Sequence, residues 1–420
     1  MTARLEVTPR RIALLSHGID GGGGVPEVAR WLLDGLRSLG HRVDLHDLAG
    51  SRVDPYSRRL TRPRSWTRPS LRAARTEPVP HDHWGADAVE VEVMRYRPRP
   101  ELTRALRGYD LVQVVAGAPA WAAPALSAGR PVILQVASTV RWEREDRPRD
   151  LLSAARLWRQ GMTVLTSRVE RRVLRRVAAV LTENGQMFEH VRGVGQRHVR
   201  LAPPGIDVDL FAPDPAGWRR QGPLLSVCRL NDPRKGLDRM IHAYAAVRQR
   251  LGPDRCPPLV LAGQGPVPEA LPRLIGQLGL AASIDIRVDV PRNDLGPLYR
   301  AASVFLQTSY EEGLGLSVLQ AMASGLPVVS TDSAGARQLV RSGLTGWLVP
   351  QRPAVDLPGL VAERTIDLLT GPGGQFGARG RAWSVEHYSA KRALEPFLET
   401  FDEVLGRAMR PGALGAGPPA

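Results

Sequence analysis

At roughly 100–200 residues per domain, a chain of 420 residues predicts two or three domains. Its 43% hydrophobic and 24% charged residues exclude a wholly disordered protein, and no apolar run approaches the ~20 residues of a membrane-spanning helix. The net charge of +15 comes almost entirely from arginine, since only Lys235 and Lys391 are lysines among 57 basic residues. Because aromatic residues are few and the sequence has no nucleic-acid-binding motif, nucleic acid is the partner class that the sequence favours least.

Short apolar runs alternate with amphipathic ones along the chain. Strands are predicted at residues 12–16, 43–48, 89–94, 111–115, 132–136 and 179–182, and a helix that ends at Gly40 follows the first. The pattern restarts after residues 203–205, with strands predicted at 224–228, 259–262, 284–288, 304–308 and 328–331. Such runs are typical of parallel strands that are covered on both faces. The sequence therefore predicts two doubly wound α/β domains.

Two segments fall outside this alternation. Residues 51–84 are rich in arginine and proline, which predicts a long loop. A solvated basic insertion is the favoured interpretation there, and a lip that binds an acceptor or a membrane is the alternative. Residues 410–420 are rich in glycine, proline and alanine, which predicts a frayed tail.

A glycine-rich segment, residues 18–24 (GIDGGGG), lies between the first predicted strand and the first helix. Glycines allow a backbone to approach a ligand closely, and the amides of a helix N-terminus favour an anion. The spacing is not the dinucleotide-binding fingerprint, so a flexible loop is an equally good interpretation.

A basic segment, residues 227–236 (VCRLNDPRKG), follows the first strand of the second domain. Arg229 and Lys235 would lie at the carboxyl end of that strand, where ligands of such folds bind. Arginine can bind phosphate with two hydrogen bonds, and lysine adds a point charge. An ordinary basic loop is the alternative interpretation.

The most specific segment is residues 309–329 (SYEEGLGLSVLQAMASGLPVV). Glu312 follows a predicted strand, and Gly313 and Gly315 flank a predicted helix start whose amides could meet an anionic ligand. The carboxylate could instead cap the helix. Together with Arg229 and Lys235, the pattern favours a ligand site.

This last segment resembles the signature of the GT4 family of retaining GT-B glycosyltransferases. Residues 199–211, 226–236, 261–266 and 298–309 are similar to further blocks of that family. The resemblance implies the GT-B fold, in which two Rossmann-like domains face each other across a cleft. Residues 1–203 would form the acceptor-side domain and residues 204–384 the nucleotide-sugar-binding domain. Helices in residues 385–409 would cross back to the first domain, and residues 410–420 would be a disordered tail.

The same resemblance implies roles for individual residues. Glu312, Arg229 and Lys235 are the candidate catalytic residues: the two cations would hold the donor diphosphate, and Glu312 would contact sugar hydroxyls. The remaining donor-binding candidates are Gly23, Gly24, Gly313, Leu314, Gly315, Leu316 and Gln320. No metal and no cofactor besides the donor are expected, and no His, Cys or Asp cluster has metal-ligand spacing.

The chain departs from the family pattern at two places. Gln320 stands where the family has a second glutamate, so one acceptor oxygen and an amide donor replace a carboxylate. The strand at residues 132–136 is not followed by the histidine often found there, although Ser138 or Thr139 could offer a hydroxyl. None of the histidines near loops in the first domain, His17, His81 and His83, is assigned as catalytic.

The function that the resemblance implies is a retaining, metal-independent transfer of a hexose-type sugar. The donor would be a nucleoside-diphosphate-sugar, and the acceptor a small molecule or a lipid. The arginine-rich chain is similar to actinobacterial ones, in which such enzymes serve envelope glycolipids, thiols or antibiotics. The alternatives are an epimerase or phosphorylase of the same fold, or a non-catalytic sugar-nucleotide-binding protein.

Cellular location follows from cysteine content and charge. Two cysteines and no signal-peptide pattern predict a reducing cytoplasm. The basic charge leaves open a peripheral contact with an anionic membrane at the inner face. The sequence contains no clear amphipathic helix that combines basic and aromatic residues, which favours a soluble acceptor.

Overall fold

A computed structural model describes residues 8–68, 70–145, 154–351 and 356–408. These residues form two compact units. The first comprises residues 8–144, 154–204 and 393–408, and the second comprises residues 205–392. The predicted tail at residues 410–420 lies outside the described residues. None of the helices within the described ranges has the length and apolar character needed to cross a membrane.

The first unit is built on an eight-stranded sheet with the order β3-β4-β2-β1-β5-β6-β7-β8. The strands are β1 Arg11–His17, β2 Arg42–Leu48, β3 Arg72–Arg75, β4 His81–Trp84, β5 Leu111–Ala116, β6 Val132–Val136, β7 Ala179–Thr182 and β8 Val199–Leu201. The helices are α1 Gly24–Ser38, α2 Pro100–Leu106, α3 Trp142–Glu145, α4 Ala154–Arg176 and α5 Gly185–Gly193, together with the part of α13 (Ala390–Ala408) from residue 393 onward. All its strand pairs are parallel except β3–β4. The central strands are buried on both faces, as their apolar runs predict.

Two predictions for this unit are wrong. Residues 89–94 form a turn and the 3₁₀ helix Glu92–Tyr96 instead of a strand. Residues 51–84 are only partly a loop, because β3 and β4 form an antiparallel pair at the edge of the sheet. The amide of Val89 donates to the carbonyl of Arg58, so this apolar segment is held by the basic insertion instead of by the sheet. Alternating apolar residues therefore misled the prediction at a place where tertiary contacts decide the backbone.

The second unit is built on a fully parallel six-stranded sheet with the order β11-β10-β9-β12-β13-β14. The strands are β9 Leu224–Arg229, β10 Leu259–Gln264, β11 Ile284–Val288, β12 Val304–Gln307, β13 Val328–Thr331 and β14 Gly346–Val349. The helices are α6 Leu237–Leu251, α7 Ala270–Gln277, α8 Arg292–Ala301, α9 Leu316–Ala323, α10 Ala334–Leu339, α11 Leu357–Thr370 and α12 Gly373–Tyr388. Two parallel-sheet α/β units agree with the predicted fold class.

The strand order of the second unit reverses between β9 and β12. From β9 the chain adds β10 and β11 on one side, and then returns to add β12, β13 and β14 on the other. In such sheets the ligand crevice lies outside the carboxyl ends of the strands at the reversal point. Arg229 is the last residue of β9, Lys235 lies in the turn that follows, and Glu312 lies in the loop after β12. The topology therefore places these three residues at one edge of the sheet.

Candidate functional site

The centre of the candidate site is an ion pair between the ends of β9 and β12. Lys235 closes the 3₁₀ turn Pro233–Lys235, and its Nζ lies 2.7 Å from Oε1 of Glu312. The two side chains are only 16% and 9% exposed. The structure therefore brings together two of the three predicted catalytic residues, which lie 77 positions apart in the chain.

One oxygen of Glu312 collects all of its hydrogen bonds. Besides Lys235, Oε1 accepts from Ser309 Oγ at 2.7 Å and from Gln307 Nε2 at 3.2 Å. No residue in the described part of the chain donates a hydrogen bond to Oε2. The carboxylate is therefore held rigidly by one oxygen, and the other is available to accept from a ligand hydroxyl.

The alternative in which Glu312 caps a helix is wrong. The N-cap of α9 is Gly315, with φ of 88°, and no side chain caps this helix. The first amides of α9 therefore lack a side-chain acceptor at a helix start that favours an anion. Gly313, Leu314 and Leu316 lie beside this start, and their contact with a donor remains a prediction.

Arg229 is held by a carboxylate that sequence analysis did not single out. Its Nη2 lies 3.0 Å from Oδ2 of Asp232, which also accepts from Arg234. Burial alone would raise the pKa of Asp232, but the hydrogen bonds and charge of Arg234, aided by Arg229, lower it to about 2. The Arg229 side chain remains 43% exposed. It is therefore anchored on one side and accessible to a ligand on the other.

Gln320 is buried on α9, and its amide oxygen is already occupied. The hydroxyl of Tyr299, on α8, donates to Oε1 of Gln320 at 2.9 Å. One of the two lone pairs of this oxygen is therefore used within the protein. A local signal for this contact is missing from the sequence, because the two residues lie on different helices 21 positions apart.

In the first unit, Gly23 and Gly24 lie at the start of α1. Gly23 is the N-cap with φ of 120°, and no side chain caps the helix. The structure thus places both residues at a helix N-terminus, while their contact with a phosphate remains a prediction. Ser138 and Thr139 are buried after β6, and His17 stacks on Trp121 at a centroid distance of 4.2 Å.

The expectation that no cluster has metal-ligand spacing concerns spacing along the chain, and the fold brings together residues that such spacing does not show. Asp20, Asp47 and His83 come together in the first unit, with one candidate ligand atom of each lying within 4.8 Å of the others. His83 contacts Asp47 at 2.7 Å and Asp54 at 2.9 Å. Burial lowers the pKa of His83, but these two carboxylates outweigh it and raise the pKa to about 9.

The expectation that no clear basic and aromatic amphipathic helix exists stays a prediction, but α4 carries exposed apolar and basic residues on one side. Helix α4 buries Met162, Thr166 and Glu170 on one face. Its opposite face exposes four large apolar side chains at helical spacing, Leu157, Trp158, Val164 and Leu165. Toward the C-terminus, the same face exposes Arg168, Arg171, Arg172 and Arg175. We call this surface the α4 face. An exposed apolar patch beside basic residues is typical of an interfacial helix.

Two family matches cover most of the chain. Residues 22–210 match the family described as Glycosyltransferase Family 4, and residues 222–370 match the family described as Glycosyl transferases group 1. The chain belongs to the group 1, family 4 glycosyltransferases. The resemblance inferred from residues 309–329 is therefore confirmed.

Curated relatives of this glycosyltransferase come from actinobacteria. The GDP-mannose-dependent alpha-(1-6)-phosphatidylinositol monomannoside mannosyltransferase of Mycolicibacterium smegmatis is 32% identical over 203 residues, which are 44% of this chain and 51% of that protein. The D-inositol 3-phosphate glycosyltransferase of Frankia alni is 31% identical over 227 residues, 50% of this chain and 56% of that protein. The chain spans about half the length of the curated relatives it matches.

Solved structures share the fold of this glycosyltransferase at low identity. Sucrose-phosphate synthase from Thermosynechococcus elongatus has a TM-score of 0.69 at 18% identity, covering 94% of this chain and 99% of that one. The Anabaena protein HepE in complex with UDP-glucose has a TM-score of 0.66 at 17% identity, covering 94% and 100%. The predicted GT-B fold class is confirmed by these likenesses.

Proposed function

We propose that this glycosyltransferase moves a hexose-type sugar from a nucleoside-diphosphate-sugar to a hydroxyl of a small-molecule or lipid acceptor. The observation that carries the proposal is the Lys235–Glu312 pair at 2.7 Å, at the strand-order reversal of the second unit. The comparisons do not favour the alternatives of an epimerase, a phosphorylase or a non-catalytic binding protein. The test is to incubate the protein with labelled nucleotide-sugars and acceptors, and to measure transferred sugar and released nucleoside diphosphate.

The site supports a division of roles along the donor. Arg229 and Lys235 hold the diphosphate, whose negative charge grows as the bond to the sugar breaks. Glu312 accepts from sugar hydroxyls through Oε2 while Oε1 is fixed by its three donors. The start of α9 adds the positive end of a helix dipole.

The proposed transfer retains the anomeric configuration. An oxocarbenium-like sugar is attacked from the face that the diphosphate leaves, and a phosphate oxygen takes the acceptor proton. A dedicated protein base is then not necessary. Proton NMR of the first product, before any mutarotation, tests this: an α-linked donor gives an α-linked product, and a β-linked product would contradict retention.

The acceptor that we propose carries a phosphorylated inositol. This rests on the names of the two actinobacterial relatives, both of which act on inositol-containing compounds. A panel of inositol phosphates and phosphatidylinositol, each tested with GDP-mannose and UDP-glucose, distinguishes a soluble acceptor from a lipid one. Transfer to neither class would contradict this part of the proposal.

We further propose that the α4 face touches an anionic membrane. Trp158 is 53% exposed, and we expect Trp158→Asp to lower binding to phosphatidylinositol-containing vesicles by about tenfold, because an interfacial tryptophan is replaced by a repelled charge. Sedimentation with vesicles measures the bound fraction. Trp66→Asp is the comparison variant, since Trp66 is 45% exposed in the basic insertion, the other segment considered for membrane contact. Equal vesicle binding by both variants would contradict the assignment.

The donor site is proposed to work without a metal ion. Two cations and a helix start stand where Mg²⁺ would otherwise neutralise the diphosphate. We expect the nucleotide affinity and the kcat of EDTA-treated protein to change less than about twofold when Mg²⁺ is added, as measured by calorimetry and turnover. Activity that is lost on chelation and restored by Mg²⁺ or Mn²⁺ would contradict this.

Replacing Gln320 tests whether this position contacts the nucleotide. In Gln320→Glu one carboxylate oxygen can keep the Tyr299 hydrogen bond, and the other becomes free to accept from ribose hydroxyls. We expect a nucleotide affinity up to about fivefold higher, equivalent to about 1 kcal/mol. Calorimetry with UDP and GDP measures it, and Gln338→Glu serves as a control. A weaker affinity indicates that the donor requires the amide, and an unchanged affinity would remove Gln320 from the site.

A further inference from the structure

Asp20, Asp47 and His83 meet near the carboxyl ends of β1, β2 and β4 in the first unit, and His81, at the amino end of β4, contacts Asp20. Strands β2 and β4 are parallel neighbours, and Asp47 lies opposite His83 in their register. His81 precedes His83 by two residues on β4, so both imidazoles project from the same face of the strand. Asp20 enters from the glycine-rich loop that follows β1. Three segments that are distant in sequence therefore supply two carboxylates and two imidazoles.

Side-chain distances within this cluster are short. One candidate ligand atom each from Asp20, Asp47 and His83 lies within 4.8 Å of the others. The closest approach is 2.7 Å, between Nδ1 of His83 and Oδ2 of Asp47. Ligand atoms that share one cation at the usual bond length of about 2.0–2.2 Å lie at separations of this order.

His81 provides independent evidence for a ligand at this place. Its side chain is fully buried, and its Nδ1 lies 2.7 Å from the carbonyl oxygen of Val79. A carbonyl oxygen only accepts, so Nδ1 of His81 donates this hydrogen bond. Nε2 of the same ring makes no hydrogen bond to any described residue, and it faces Oδ1 of Asp20 at 3.6 Å. A buried ring nitrogen without a hydrogen bond, 3.6 Å from a carboxylate oxygen, is a position that a cation bound by both groups would satisfy.

In Asp20, Asp47 and His83, the side-chain atom that would not contact the cation is held by another residue. Arg75 lies 3.1 Å from Oδ2 of Asp20, and the amide of Ile19 donates to Oδ1 of Asp47 at 3.0 Å. Asp54 lies 2.9 Å from Nε2 of His83. In metal sites, hydrogen bonds from neighbouring residues orient the ligands. A frequent example is a carboxylate that accepts from the second ring nitrogen of a histidine ligand. The cluster thus has the inner and outer partners of a metal site.

We propose that Asp20, Asp47, His81 and His83 bind one divalent cation of the Zn²⁺ type. Two imidazoles and two carboxylates suit Zn²⁺ and its transition-metal neighbours, whereas Mg²⁺ prefers an all-oxygen shell. The cation takes the place of the proton that joins His83 to Asp47. It ties the glycine-rich loop, through Asp20, to β2 and β4. This role is separate from the metal-free donor chemistry proposed for the second unit.

The test is to titrate Zn²⁺ into the full-length protein after EDTA treatment and exhaustive dialysis. We expect one Zn²⁺ per chain with a Kd below about 1 µM, and a melting temperature raised by several degrees. Co²⁺ is expected to give visible absorption bands from the same site. Mg²⁺ at a hundredfold excess is expected to leave the Zn²⁺ affinity unchanged.

Substitutions assign the binding to this cluster. Asp20→Asn and His81→Gln are each expected to weaken Zn²⁺ binding at least tenfold. His242→Gln, at an exposed histidine of α6, is the control and is expected to bind like the unaltered protein. Asp20 is 37% exposed, so its variant remains informative even where the buried His81 variant does not fold.

Several outcomes would overturn the proposal. These are the absence of saturable binding at one ion per chain, unchanged affinity in Asp20→Asn, and displacement of Zn²⁺ by Mg²⁺. Because the readouts are metal content, melting temperature and absorption, their failure leaves the proposed sugar transfer untouched. Likewise, if no sugar transfer is detected, the Zn²⁺ titration still decides whether this cluster binds a metal ion.

Discussion

Lys235→Ala is expected to lower kcat/KM by about 10²–10³-fold, equivalent to roughly 2–4 kcal/mol of transition-state stabilisation. The Lys235 side chain is only 16% exposed, and its ammonium lies 2.7 Å from Oε1 of Glu312. The loss is expected mainly in kcat, because the negative charge on the diphosphate grows as the sugar leaves. Arg229→Ala is expected to show a loss of similar size. Steady-state kinetics with a saturating acceptor measure both.

The chain offers a matched control for this substitution. Lys391 is the other lysine, it is exposed, and it lies at the start of α13. Lys391→Ala is therefore expected to leave the kinetics unchanged. In Lys235→Ala, Glu312 keeps its hydrogen bonds from Ser309 and Gln307, so the fold is expected to survive, as thermal melts would report. Near-normal kinetics in Lys235→Ala would remove this residue from the donor site.

Gly236→Ala is expected to destabilise the second unit by roughly 2–4 kcal/mol. Gly236 links Lys235 to the first turn of α6 with φ of 59°, a left-handed conformation that favours glycine. A Cβ at this position would lie 2.4 Å from the carbonyl oxygen of Thr308, which is backbone and has little freedom to move. Activity is expected to fall as well, because a shift of this turn displaces Lys235 from Glu312.

Chemical denaturation measures the stability of this variant, and circular dichroism reports its fold. Gly276→Ala is the control: Gly276 lies on α7, and a Cβ there would meet no atom within 4 Å. Alanine in that helix is expected to be neutral or slightly stabilising. Equal stability of Gly236→Ala and Gly276→Ala would show that the close approach of Gly236 to Thr308 does not constrain the turn.

The core of both sheets was predictable from the sequence because their strands are buried on both faces. Residues 132–136, 179–182 and 328–331 were predicted as strands with the bounds that the structure has, and six other predicted strands differ by one or two residues at one or both ends. The bounds of the edge strand at residues 284–288 were also predicted, although this strand is partly exposed. A continuous short apolar run is a strong signal, since burial on both faces leaves no polar alternation. The edge strands β3 and β4 carry no such signal. Their residues, RAAR and HDHW, contain no continuous apolar run, and they pair at the edge of the existing sheet.

The candidate site was partly predictable for a related reason. Arg229, Lys235 and Glu312 each follow a predicted strand, and parallel strands end at a common edge. Which of them touch was not predictable, because contact depends on the strand order β9-β12. The sequence contains no local sign that Asp232 would bind both Arg229 and Arg234, or that Tyr299 would occupy the oxygen of Gln320.

The sequence by itself determined the fold class, the glycosyltransferase family and the strand ends on which the candidate residues lie, because these depend on local apolar runs and short motifs. Only the tertiary structure decided which side chains meet. Asp20, Asp47 and His83 come from a loop and two strands, and the spacing between them along the chain has no metal-ligand pattern. Their meeting depends on the parallel register of β2 and β4 and on the fold of the loop after β1. Long-range pairing of this kind is fixed by packing and strand order, which no short window of sequence contains.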